Sequence, residues 1–162
     1  MDKELKINIY QKVIEDLTNA LDGETNFVTL MSAINSELKV NFPHFFWVGF
    51  YIVDNGELIV GPYQGTFGCI HISFDRGICG RAARTQQIQI VDDVHSDPEH
   101  IACDSRSNSE IVVPVFNEGK LIAVLDIDST EFASFDQIDA EYLQIITERF
   151  FNQRNISTGW RW

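Results

Sequence analysis

The apolar positions at the start of the chain follow the period of a helix. A first helix is predicted over about residues 3–21, because its apolar residues recur every four positions: Leu5, Ile9, Val13, Leu17 and Leu21. A second helix is predicted from an apolar face that begins at Phe27 and includes Leu38, and Pro43 marks its end. Two amphipathic helices therefore open the fold.

After the second helix, the pattern changes to one typical of strands. Residues 45–53 are rich in aromatic and β-branched side chains, and the turn sequence Asp54-Asn55-Gly56 leads into a second predicted strand over 57–60. A glycine-rich loop is predicted over 61–68. The next predicted elements are a short strand, a helix and a further strand: 70–74, 77–86 and 88–91.

The last part of the chain combines a polar stretch with the clearest hairpin. Residues 92–108 show no periodicity, and polar loops of this length are usually functional or disordered. Residues 110–116 and 121–128 predict a β-hairpin, and Asp136 begins a final helix with Asp139 as its capping partner. The order of elements predicts an α+β fold with an antiparallel sheet and helices packed on it.

Composition narrows the possible functions. The 162 residues suffice for one domain, and the 24 acidic residues outnumber the 12 basic ones, for a net charge of −12. This balance disfavours nucleic acid and anionic membranes, which both need a basic surface. No apolar run is long enough to cross a bilayer, and the charged start Met1-Asp2-Lys3-Glu4 does not suit a signal peptide. We expect a cytoplasmic protein.

The three cysteines, Cys69, Cys79 and Cys103, contain no C-x-x-C pair. An odd number of cysteines suits a reducing compartment, where a disulfide would be transient and catalytic. A Cys/His zinc site would have to draw on three histidines whose spacing fits no zinc knuckle: His71, His95 and His100. We therefore expect no metal.

Two of the cysteines are candidate nucleophiles. Cys69 and Cys79 each adjoin an isoleucine and suit burial as small apolar residues. Cys103 lies in the polar loop, where an unused exposed thiol would be prone to oxidation. Cys79 lies near the start of a predicted helix, whose dipole favours a thiolate. The residues alone leave Cys79 and Cys103 nearly equal.

Asp126 and Asp128 are two residues apart on a predicted strand, so both point to one face. If the strand continues through them, they need a cation or a hydrogen-bond donor; if it has already ended, both are solvated. Crowded carboxylates raise one another's pKa and favour an ammonium or guanidinium ligand. The partner of Glu110 on the neighbouring strand depends on the turn between the strands. A three-residue, bulged turn that uses Gly119 would place Glu110 opposite Asp128, whereas a two-residue turn would place it opposite Ile127.

An aromatic strand offers a possible pocket wall. Trp47, Gly49 and Tyr51 share one face, and the glycine leaves a gap between two large rings. Core packing is one interpretation, and the wall of a small apolar pocket is the other. Pro114 lies inside an apolar run and indicates a strand edge, a bulge or a strand end.

Several motifs together resemble the free methionine-(R)-sulfoxide reductases, a family with the GAF fold. The motifs are Gly61-Pro-Tyr-Gln-Gly65, Cys69, Gly77-Ile-Cys79-Gly80, His100-Ile-Ala-Cys103-Asp-Ser, Glu110-Ile-Val-Val-Pro114-Val and Val124-Leu-Asp126-Ile-Asp128-Ser. The resemblance covers the chain from the first helix to about Phe150. It implies a single GAF domain over 1–152 and leaves 153–162, with Trp160-Arg161-Trp162, as a tail that can be disordered.

The resemblance also implies roles for individual residues. Cys103 is the implied nucleophile, Cys69 its main resolving partner, and Cys79 an alternative partner or a relay. Three acidic residues are implied to bind the amino group of a free amino acid: Glu110, Asp126 and Asp128. Trp47 and Tyr51 are implied to enclose the methyl-sulfoxide end.

The implied activity is reduction of free methionine-(R)-sulfoxide to methionine through a sulfenic acid and a disulfide. Thioredoxin would regenerate the enzyme, which would act as a homodimer without a cofactor. The alternatives are a GAF sensor that binds a small ligand without catalysis, and a redox sensor whose thiols oxidise without turnover.

Overall fold

The computed structural model describes residues 1–152 and residue 156, and it consists of a six-stranded sheet with helices on both faces. The helices are α1 (Lys3–Ala20), α2 (Phe27–Asn41), α3 (Gly77–Thr85) and α4 (Gln137–Phe151), with a 3-10 turn at Val94–Ser96. The strands are β1 (Trp47–Asp54), β2 (Glu57–Gln64), β3 (His71–Ser73), β4 (Gln89–Val91), β5 (Ser109–Asn117) and β6 (Lys120–Ser129). The spatial order is β3-β2-β1-β6-β5-β4, and neighbouring strands are antiparallel. The predicted α+β class is confirmed.

Capping side chains mark where three of the helices begin, α1, α2 and α4. Asp2 accepts hydrogen bonds from the first turn of α1, and Asn26 does the same for α2. Asp136 and Asp139 form the predicted capping box at the start of α4. The ammonium group of the buried Lys6 lies 2.6 Å from Asp139, so α1 and α4 are joined by a buried ion pair.

The alternation of the strands gives the sheet two apolar faces. The larger cluster contains side chains of α1, α2 and α4 packed on one face. A smaller cluster on the other face contains Trp47 and Tyr51 of β1, Cys79 of α3 and Val124 of β6. Because the second face is covered by the short α3 and by loops, it leaves room for a cavity.

The strand β2 is longer than the sequence predicts. It continues to Gln64, so the first part of the predicted loop 61–68 is strand. Gly61 and Pro62 suggested a break, but the pairing with β1 resumes beyond them, at Gly49 with Tyr63, after a register shift. Pro114 has a simpler explanation: β4 pairs with β5 only as far as Val112, so the proline lies on an open edge.

The β5–β6 hairpin carries a bulge that the sequence did not place. Its turn has two residues, Glu118 and Gly119, both with positive φ, so the three-residue turn is wrong. The register shifts instead within the strands, where Ile122 is the extra residue, and this shift brings Glu110 opposite Asp128. Glu110 therefore pairs with Asp128, as a bulged hairpin predicts, but the bulge lies at Ile122 and not in the turn.

The expectations for the C-terminal tail lie outside the described residues, apart from Ile156, which packs against the larger cluster. Within the part of the chain that the structure describes, no helix combines the length and the apolar character needed to span a membrane.

Candidate active site

A small cavity of about 40 Å³ lies under α3, on the second face of the sheet. It is lined by side chains from β1, β5, β6 and α3 and from the segment that carries Cys103. The residues singled out from the sequence that line it are Trp47, Tyr51, Cys79, Cys103, Glu110, Asp126 and Asp128. Cys69 is not part of the lining, but it is bonded to Cys103. The structure thus brings all eight predicted site residues to one place.

Cys69 and Cys103 form a disulfide that joins two loops at the edge of the cavity. Their Cα atoms are 5.2 Å apart, which is an ordinary separation for a disulfide. The same loops are joined by a hydrogen bond of 2.6 Å, which the Thr66 hydroxyl donates to Asp104. The guanidinium group of Arg106 also pairs with Asp104 and holds the pKa of that carboxyl well below its usual range. Cys103 is therefore partly buried and fixed over the cavity.

Cys79 is a free thiol, and it is buried beneath the cavity. Burial, followed by the charges of Asp126 and Glu110, raises its pKa well above the usual value. The prediction that the α3 N-terminus would favour a Cys79 thiolate is therefore wrong, because desolvation and neighbouring carboxylates oppose the helix dipole. The protonated sulfur lies 3.8 Å from a Glu110 carboxylate oxygen and donates toward it.

Three carboxyl groups meet at the floor of the cavity. Glu110 lies opposite Asp128 on the neighbouring strand, and Asp126 shares their face. Glu110 and Asp126 are each only 6% exposed, so the alternative in which the strand ends before Asp126 and the acids are solvated is wrong. Pairing in register, not proximity in sequence, brings Glu110 to the two aspartates.

The cavity holds these acids in a form that favours protons or cations. Burial raises the pKa of all three carboxyls; the charge of Asp126 raises the pKa of Glu110 further, and the charge of Asp128 raises that of Asp126. The pKa of Asp128 rises to about 7, against the lowering effect of a hydrogen bond from Ser107. One oxygen of Asp126, Oδ1, is buried and has no hydrogen-bond partner among the described residues.

The lining of the cavity, as far as the structure describes it, provides no lysine or arginine cation to offset these acids. Ligand atoms of Cys79, Glu110 and Asp126 lie within 4.8 Å of one another, so this group could hold a cation. The group contains none of the histidines considered for a zinc site. A substituted ammonium ion satisfies the same carboxylates by hydrogen bonds as well as by charge.

Aromatic rings of β1 lie beside these acids on the same face of the sheet, where Trp47 is paired with Asp128. Trp47 stacks on Tyr51 with ring centroids 5.7 Å apart and on Tyr63 with centroids 5.2 Å apart. The indole lies over Gly49, where a Cβ atom would overlap it, and its Nε1 donates to the Thr66 carbonyl oxygen. The rings thus contribute to both the smaller core and the pocket wall. Tyr63 supports the indole from β2 without lining the cavity, in a segment that was predicted to be a loop.

His100 and Ser107 were not predicted from the sequence to lie at the cavity. Both line it, and in the described part of the chain the buried Nδ1 atom of His100 has no hydrogen-bond partner. Burial, with a smaller contribution from His95, lowers the pKa of His100, which favours the neutral ring. Nothing in the polar run 92–108 distinguishes the residues that line the cavity from those that face solvent.

Comparisons with known proteins place this geometry among its relatives. Residues 24–150 match the model of the GAF domain family. The chain is 38% identical over 139 residues to the free methionine-R-sulfoxide reductase of Escherichia coli, covering 86% of this chain and 84% of that protein. It is 40% identical over 150 residues to the enzyme of the same name from Saccharomyces cerevisiae, covering 86% and 82%.

A solved structure agrees with the sequence comparisons. The chain is similar to the X-ray structure of free methionine-R-sulfoxide reductase from Neisseria meningitidis in complex with its substrate. The TM-score is 0.86 at 40% identity, and the match covers 94% of this chain and 89% of that one.

Proposed function

Because the chain belongs to the free methionine-(R)-sulfoxide reductases, an oxidoreductase family of the GAF fold, we propose that it reduces free L-methionine-(R)-S-oxide to L-methionine. The observation that carries the proposal is the group of acids at the cavity, Glu110, Asp126 and Asp128, of which the first two are buried, next to the Cys69–Cys103 disulfide. A site whose described lining has acids but no lysine or arginine selects a positively charged ligand, and the adjacent thiols supply two electrons.

The acids bind the α-ammonium group of the amino acid. The unpartnered Asp126 oxygen accepts one hydrogen bond from it, and Glu110 and Asp128 supply further acceptors. A peptide-bound methionine has an amide at this position and cannot satisfy these acids. The arrangement therefore supports a free amino acid as the substrate.

The aromatic rings position the other end of the substrate. Trp47 and Tyr51 line the same cavity as Cys103, so an S-methyl group packed against the rings lies near the Cys103 sulfur. Apolar rings are suited to a methyl and thioether group, and they exclude water from the reacting sulfur.

The reaction proceeds by nucleophilic attack of the Cys103 thiolate on the sulfoxide sulfur. A proton is taken up, the oxygen is transferred to Cys103 as a sulfenic acid, and methionine leaves. The raised pKa values of the three carboxyls leave this group a proton to deliver near neutral pH, while its ionised members bind the ammonium ion. The Cys69 thiol then condenses with the sulfenic acid, water leaves, and the Cys69–Cys103 disulfide forms.

The pairing of the cysteines supports this order of events. Cys69 bonds to Cys103, while Cys79 is free, buried and held protonated among the acids. We assign Cys69 as the main resolving thiol and keep Cys79 as the alternative partner or relay. Thioredoxin would reduce the disulfide, in an enzyme that acts without a cofactor as a cytoplasmic homodimer.

A single-turnover assay tests the proposal. Reduced protein, freed of reductant, is mixed with free methionine-(R)-sulfoxide, and the methionine released is counted per subunit. We expect about one methionine from the wild type, from Cys69→Ser and from Cys79→Ser, which removes the alternative partner, and none from Cys103→Ser. Only the wild type and Cys79→Ser should end in the Cys69–Cys103 disulfide.

Two results would overturn the proposal. Substrate binding without methionine release in the wild type would favour the non-catalytic sensor. Full activity of Cys103→Ser, together with loss of activity in Cys79→Ser, would make Cys79 the nucleophile.

A further inference from the structure

Two large apolar side chains next to the disulfide are exposed to solvent. Phe67 is 91% exposed and Ile70 is 63% exposed, and they lie on either side of Cys69 in sequence. Phe67 is the most exposed of the large apolar residues in the described part of the chain. Such exposure beside a redox-active bond indicates a contact surface.

The backbone that carries these side chains is held in place. The Thr66 carbonyl oxygen accepts a hydrogen bond from the Trp47 indole, and the Ile70 carbonyl oxygen accepts one of 2.9 Å from the Val60 amide. Gly68, between them, lies so close to Tyr51 that a Cβ atom would be 3.0 Å from the phenol oxygen. The segment is therefore anchored on both sides of Phe67 while the two apolar side chains face solvent.

The charges beside Cys103 do not oppose an apolar contact. Asp104 and Arg106 neutralise each other through an ion pair of 2.8 Å. A partner that approaches the disulfide at this point meets a phenyl ring, an aliphatic side chain and a compensated charge pair.

We propose that Phe67 and Ile70 form the docking surface for the protein dithiol oxidoreductase, of the thioredoxin class, that reduces the Cys69–Cys103 disulfide. This inference rests on the proposed function, which leaves the disulfide to be reduced after each turnover. A protein reductant must bring its thiolate to a disulfide sulfur, so its surface has to contact the residues that flank that bond. A small thiol needs no such surface.

Reduction of the Cys69–Cys103 disulfide takes two thiol–disulfide exchange steps. A partner thiolate attacks the Cys69 sulfur, the bond to Cys103 breaks, and Cys103 leaves as the thiolate required for the next turnover. The second partner thiolate then attacks the mixed disulfide and releases Cys69. The partner ends as a disulfide, and its two electrons reside on the two enzyme thiols.

The test compares two reductants on the same oxidised enzyme. We measure the second-order rate constant for reduction of the disulfide by thioredoxin, with its reductase, and by dithiothreitol, for the wild type, Phe67→Ser and Ile70→Ser. We expect each substitution to lower the thioredoxin rate constant about tenfold and to leave the dithiothreitol rate constant within about twofold. The matched control is Val40→Ser, because Val40 is 74% exposed on α2, whose buried face packs on the opposite side of the sheet; both of its rates should equal those of the wild type.

Trapping identifies the sulfur that is attacked. A thioredoxin whose second active-site cysteine is serine should form a mixed disulfide that peptide mapping places on Cys69, and less of it should form with Phe67→Ser or Ile70→Ser.

Several outcomes would overturn the docking surface: an unchanged thioredoxin rate, an equal loss with both reductants, or trapping on Cys103. If Phe67→Ser or Ile70→Ser changed the oligomeric state in sedimentation, the surface would instead be a contact with a second copy of the chain. If the wild type is reduced by thioredoxin but releases no methionine from the sulfoxide, the proposed function fails and the docking surface stands.

Discussion

At the scale of single residues, the site depends on carboxyl groups that the fold shields from water. Asp126 is 6% exposed and keeps a buried oxygen without a partner, an arrangement that costs stability unless a cation arrives. The sequence showed that Asp126 and Asp128 share a face, but it could not show whether they are buried. Burial depends on α3 and the loop that close over them.

Replacing Asp126 by asparagine tests whether this group recognises the ammonium ion. We expect Asp126→Asn to lower kcat/KM for free methionine-(R)-sulfoxide about 10- to 100-fold, because one charged contact is lost. The kcat/KM for the N-acetyl substrate should fall by a smaller factor, so the preference for the free substrate over the N-acetyl substrate should decrease. Steady-state kinetics with both substrates measure this change, and Asp54→Asn, an exposed carboxyl at the end of β1, is the control. An equal loss on both substrates would contradict the assignment.

The raised pKa of Asp128 predicts how stability depends on pH. Its pKa is about 7 in the folded chain against 3.8 as the reference value, so the folded state binds more protons between these values. The free energy of unfolding therefore falls as pH rises through that range. Urea unfolding of the oxidised protein measures the free energy of unfolding at pH 5 and at pH 8. The decrease between the two pH values should be about 2 kcal/mol smaller in Asp128→Asn than in the wild type. An identical drop in both proteins would show that Asp128 is ionised throughout.

At the scale of elements, the helices and most strands were predictable because their apolar periodicity is local. The position of the β5–β6 bulge was not, since the Asn117–Lys120 turn fits a regular hairpin and only the pairing of whole strands reveals the extra residue, Ile122. The extension of β2 to Gln64 was hidden for a similar reason. In both cases long-range pairing outweighs the local turn signals of glycine and proline.

The buried ion pair between α1 and α4 has a predictable energetic consequence. Lys6→Met leaves Asp139 buried without its cation, so we expect the free energy of unfolding to fall by about 3 kcal/mol. Lys12→Met is the matched control, because Lys12 pairs with Asp16 on the exposed face of α1, and its removal should change little. Urea unfolding measures both. Equal effects of the two substitutions would show that the buried pair has no special role.

The segment over the cavity, residues 92–108, should respond to the redox state. It is fixed to Cys69 by the disulfide, whereas its ends are anchored by hydrogen bonds such as that from the Val94 amide to the Asn108 carbonyl oxygen. We expect hydrogen exchange at the Cys103 amide to be about tenfold faster after reduction, with the Val94 amide as the internal control. Equal exchange in both states would exclude a lid controlled by the disulfide.

At the scale of the whole molecule, the sheet places the larger hydrophobic core on one face and the candidate active site on the other. One face builds the larger core with three helices, and the other builds the site with a short helix and loops. The residues alone could nominate the three thiols and the acids, but they left Cys79 and Cys103 nearly equal as nucleophiles. Only the folded chain shows that Cys79 is surrounded by carboxylates while Cys103 bonds to Cys69, 34 residues away.

The central claim is that this site reduces a free amino acid that it recognises by its ammonium group. The most direct measurement is kcat/KM of the wild-type protein for free methionine-(R)-sulfoxide and for its N-acetyl derivative, with a dithiol reductant. An amide leaves several buried carboxylates without a cation, at about 1–3 kcal/mol for each lost charged contact, so we expect a preference of about a thousandfold or more for the free substrate. Equal efficiency on the two substrates would contradict the account.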